Sequence, residues 1–124
     1  MENTVGSLDA ARTFSIKRSS PVSVRVKGID RLNIPGSFIV NLLADGQPIA
    51  KRFFFQPNQP RDCETCRKHG IVNIDFRVDQ DTILDRRLSV TIEVPGHGAE
   101  VGTLFPLAQA GNPTINARLL LEDA

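Results

Sequence analysis

The chain has 124 residues, enough for one domain with its own core and too few for two. Hydrophobic residues make up 40% and charged residues 23%, the balance of a globular domain rather than of a disordered chain. Fifteen lysines and arginines against 14 acids leave a net charge of +1, which gives no electrostatic case for nucleic acid or an anionic membrane as the main partner. No apolar run exceeds four residues, so no segment reads as a transmembrane span. Met1 to Arg12 carries two acids and no apolar stretch, unlike a secretory signal, and the compartment stays unassigned.

In chain order, residues 1–11 are polar and unpatterned and are predicted to form a disordered leader; residues 12–124 read as a single domain. Residues 13–17 alternate weakly, as in an edge strand. Residues 22–27 alternate at period two, with three valines on one face, and Gly28 is expected to end that strand. Asn33-Ile34-Pro35-Gly36 signals a turn. Residues 37–44 are apolar enough for a strand buried on both faces, Asp45-Gly46 marks a tight hairpin, and residues 48–55 return. Gln56 to Gly70 is a long connection with two prolines, both cysteines and a closing glycine; such loops are usually functional or disordered. Strands are predicted again at 71–78, 88–94 and 114–121. One helical turn fits within 79–86, and a second long loop fits from Pro95 to Pro113. Seven short strands with no long helical pattern predict an all-β fold, an antiparallel β-sandwich.

Chemistry concentrates in Cys63-Glu64-Thr65-Cys66-Arg67-Lys68-His69. Two thiols at i and i+3 have four readings. They form a local disulfide or an exposed thiol pair. They anchor structural zinc, where Cys63, Cys66 and His69 supply three of the four ligands required and His97 would have to supply the fourth. They form a redox pair of thioredoxin type, disfavoured because the next predicted element is a strand. They take up Cu(I), which soft thiolates select and which is content with two ligands. Arg61, Arg67 and Lys68 would favour thiolate. There is no HxxxH pair, no grouping of Ser, His and Asp, and no phosphate-cradling glycine loop ahead of a helix; the chain is expected to have no catalytic constellation. In Phe53-Phe54-Phe55 a regular strand puts Phe53 and Phe55 on one face and Phe54 on the other, so all three cannot enter one core.

Three stretches carry a family resemblance. They run from Gly36-Ser37-Phe38 to Asp45-Gly46, from Phe54-Phe55-Gln56-Pro57 through Cys63 to Lys68, and from Gly111-Asn112-Pro113 through Arg118 to Glu122. Together they resemble the C-terminal domain that follows the catalytic domain in tyrosinases and polyphenol oxidases of the type-3 copper group, over about residues 21 to 122. The resemblance implies an accessory β-sandwich, not the enzyme. The catalytic domain of that family binds its two coppers with six histidines, and this chain has two histidines. It implies a cover over the active-site entrance of a tyrosinase-type catalytic domain, on the same or a separate chain, with an apolar side chain pushed into the substrate pocket. Phe54 is the best match for that side chain, with Phe53 and Phe55 beside it and Phe105 as the next candidate. It further implies that Cys63 and Cys66, as in some members, pass Cu(I) to the copper site; no cofactor resides in the domain itself. The alternative is a general β-sandwich interaction module whose CxxC is a local disulfide or zinc feature.

Overall fold

The computed structural model describes residues 20–96 and 102–119. The strand expected at 13–17, the leader, His97 and the last residues of the final strand lie outside that range. The described chain forms seven strands: β1 (Pro21–Asp30), β2 (Phe38–Ala44), β3 (Gln47–Phe54), β4 (Ile71–Asp79), β5 (Leu88–Val94), β6 (Thr103–Phe105) and β7 (Thr114–Leu119). They make two antiparallel sheets, one ordered β4-β1-β7 and the other β3-β2-β5-β6. Two short helices, α1 (Glu64–Lys68) and α2 (Gln80–Ile83), and three single 3-10 turns complete it. The fold is therefore the all-β sandwich expected from the alternation. Among the described residues no helix is long and apolar enough to cross a membrane.

The period-two pattern produces the core directly. In β1 the side chains of Val22, Val24 and Val26 are buried; in β4 those of Ile74 and Phe76 are; both sets face the other sheet. From that sheet Phe38, Val40 and Leu42 of β2 and Val90 and Ile92 of β5 meet them in one cluster. The odd positions of β2 are only partly covered, because its second face is the outer face of the sheet. Asp45 (φ 51°) and Gly46 (φ 80°) turn β2 into β3 with positive φ at both central residues, the type I′ geometry that matches strand twist.

Three expectations are corrected. Strand β2 is fully buried on one face only, not on both. Gly28 does not end its strand: a bulge between Val26 and Ile29 shifts the register and the strand continues to Asp30, burying Ile29. The Pro95–Pro113 segment is not loop throughout. Thr103–Phe105 pairs with β5 and adds the edge strand β6.

Candidate functional site

The segment between β3 and β4 begins at Gln56, whose side chain bonds the turn that follows β1. Gln56 Nε2 lies 3.1 Å from the carbonyl oxygen of Arg31, and 2.9 Å from those of Ile34 and Gly36. Its Oε1 accepts from Arg31 Nε at 2.9 Å. Ser37 Oγ bonds the Gln56 backbone, accepting from its N–H at 3.0 Å and donating to its carbonyl at 3.2 Å. At the far end of the segment, Arg31 N–H donates to the carbonyl of Gly70 at 2.9 Å. Arg31 thus ties both ends of the loop to the turn after β1. Nothing in the periodicity singles out Gln56 or Arg31, because both act through backbone carbonyls distant in sequence.

Inside this frame a 3-10 turn, Pro60–Asp62, leads into α1. Cys63 is the N-cap of α1 and its Sγ accepts the Cys66 N–H at 3.2 Å. The helix closes with Arg67 N–H donating to the Cys63 carbonyl at 3.0 Å and His69 N–H to that of Cys66 at 3.1 Å. Arg67 Nη1 caps the preceding turn at the Arg61 carbonyl, 2.9 Å, and Arg61 bonds Asn33 Oδ1. The CxxC therefore lies at the start of a single helical turn, and strand β4 is the next element.

Cys63 and Cys66 are joined in a disulfide, with Cα atoms 5.1 Å apart. Neither cysteine is exposed, so the reading of an exposed thiol pair does not hold. Cys63 is half-buried, whereas Cys66 is 3% exposed, because the helical turn directs it inward. His69 is exposed at the C-cap of α1, where the backbone leaves the helical region. Among the described residues no three His, Cys, Asp or Glu side chains are gathered as for a metal ion.

The three phenylalanines separate as strand alternation requires. Phe54 pairs with Phe38 across β2 and β3, and the rings stack with centroids 5.0 Å apart. The Arg31 guanidinium lies over the Phe54 ring at 4.9 Å. Phe54 is half-buried against the core and roots the strand end. Phe53 and Phe55 stand outside, 54% and 78% exposed, with rings edge-to-face at 6.2 Å. Phe105 is half-buried in β6 and packs on the core rim, where it lines a shallow groove with Leu32, Pro35, Asn58 and Pro60. The exposed aromatic pair and the cysteine turn are thus neighbours along one anchored segment, both held through Gln56 and Arg31.

Comparison of the chain with protein-family models, with curated proteins and with solved structures finds no match.

Proposed function

We propose that this chain is a non-catalytic accessory domain that covers the active-site entrance of a tyrosinase-type catalytic domain and places an apolar side chain in it. The observation that carries this reading is the exposed Phe53–Phe55 pair at the root of the CxxC segment. Two adjacent exposed aromatics on a braced strand end form an apolar patch of the kind that marks a partner surface. A phenylalanine suits a phenol pocket: it matches the ring in size and has no hydroxyl to react at copper. Phe55, the most exposed of the three, is the better plug; Phe54 serves as its root.

The cysteines support a narrower statement about copper. Two sulfurs suit two-coordinate Cu(I) once the disulfide is reduced, and the described residues do not bring together the four ligands of structural zinc. Cu(I) is then cargo and binds only the dithiol form. The disulfide itself favours the second reading for this pair, a local staple in an interaction module.

The test is inhibition. Added to a separately produced tyrosinase-type catalytic domain, the chain should suppress phenol oxidation. Phe55→Ala should weaken that suppression at least about tenfold, equivalent to about 1.4 kcal/mol, with an unchanged circular dichroism spectrum. If Phe53→Ala and Phe55→Ala both inhibit like the parent chain, the shielding reading fails and the general interaction module replaces it.

A further inference from the structure

The outer face of the β4-β1-β7 sheet carries a second arrangement, remote in chemistry from the aromatic pair. Ser23, Arg25 and Lys27 project to one side of β1 because alternate residues share a face. Strand β7 sets Arg118 opposite Ser23, Asn116 opposite Arg25 and Thr114 opposite Lys27. Ser23, Arg25, Lys27, Asn116 and Arg118 line an open depression of about 240 Å³. All five side chains carry hydrogen-bond donors, and among the described residues no carboxylate lines the depression.

The nearest acid is already engaged. Asp75 on β4 accepts from Arg25 Nε at 2.7 Å and Nη2 at 3.1 Å, using both oxygens. Arg25 Nη1 stays outside that fork. On the other side of β1, Arg77 stands opposite Ser23, which makes a row Arg77–Ser23–Arg118 across the three strands. Strands lie about 4.8 Å apart, so the two arginines of that row are rooted roughly 10 Å from each other. Among the described residues, Arg25, Lys27, Arg77 and Arg118 share this surface with the acids Asp75 and Asp79, in a chain whose total charge is +1. Clustered like charges disfavour a sheet face, and an anion seated between them reverses the sign of that interaction.

We propose that this depression is a binding site for a tetrahedral oxyanion, phosphate or sulfate, held by Ser23, Lys27 and Arg118 and completed by Arg25 and Asn116. Donors arriving from five side chains on two strands suit an ion with acceptor oxygens in several directions better than a planar carboxylate. The site does not depend on the shielding reading, since it lies on the other sheet.

Amide nitrogen–proton NMR spectra of the chain test it, titrated with sodium phosphate, sulfate, acetate or methyl phosphate at constant ionic strength set with chloride. Phosphate and sulfate should shift resonances concentrated at 23–27 and 114–118, with acetate much weaker. Lys27→Met combined with Arg118→Met should weaken binding at least about tenfold, and Lys51→Met on β3 should leave it unchanged. Methyl phosphate binding as well as inorganic phosphate assigns the site to a phosphate carried on a larger molecule; its exclusion assigns the site to the free ion. Shifts that are absent, that acetate reproduces, or that persist in the double variant overturn the proposal.

Discussion

Replacement of Gln56 measures how the candidate site is held. The Gln56 amide has two protons facing three carbonyls, so at most two strong bonds form at once. Neutral hydrogen bonds contribute about 1 kcal/mol each net, and the bond from the Arg31 guanidinium about 1.5 to 3. That sums to about 3.5 to 5 kcal/mol. The site is only part-buried, so water replaces some of this, and Gln56→Ala should cost about 2 to 3 kcal/mol. Gln56→Glu should be no better near neutral pH, because a carboxylate donates nothing to the three carbonyls. Urea unfolding followed by circular dichroism gives the stability change, and amide exchange at Arg31 and across Cys63–Gly70 gives the local one. Exchange there should accelerate more than in β1 or β2, since Gln56 and Arg31 hold both ends of the segment. A loss below about 0.5 kcal/mol with unchanged exchange would show that the loop is held by something other than this amide.

Two further outcomes follow from the backbone and the charges. Gly111 (φ 92°) would place a Cβ 2.8 Å from the Gly28 carbonyl oxygen, whereas Gly46 (φ 80°) has open space around it. Gly111→Ala should therefore destabilise clearly more than Gly46→Ala, by about 2 kcal/mol or more against about 1, and equal losses in thermal or urea unfolding would refute the clash. Hydrogen bonding from Arg25 holds the Asp75 carboxyl below the usual carboxylate range; desolvation opposes it, and the charges of Arg25, Arg52 and Arg118 add to it. A depressed native pKa contributes stability that is present above the unfolded carboxylate value and is lost as pH falls through the native one. Carbon-detected NMR titration of Arg25→Gln should find the Asp75 midpoint moved back up toward the ordinary value; a midpoint that stays put assigns the depression to another group.

Much of the fold is legible in the sequence because alternation reports which side chains must leave water. Val22-Val24-Val26, Val72-Ile74-Phe76-Val78 and Leu88-Val90-Ile92-Val94 each mark a strand and its inner face, and Asp45-Gly46 marks the hairpin. Strand β6 is three residues long, too short for alternation to show, and only its pairing with β5 reveals it. The continuation of β1 past Gly28 depends on a bulge, which a glycine in sequence does not distinguish from a strand end.

The site divides the same way. Alternation alone requires Phe53 and Phe55 to share a face, but the register that sets Phe54 against Phe38 decides that the pair faces outward. The i, i+3 spacing brings the two sulfurs within reach of each other. The tertiary packing of α1 buries Cys66 and leaves Cys63 at the edge, and the folded turn carries the pair as a disulfide. The Gln56–Arg31 anchor and the Ser23–Arg118 and Arg25–Asn116 rows join residues from 25 to 95 positions apart. Local propensity determines which residues make strands and which face of each is apolar. The pairing of distant strands, driven by burial of both apolar faces in one core, decides which polar and aromatic side chains meet.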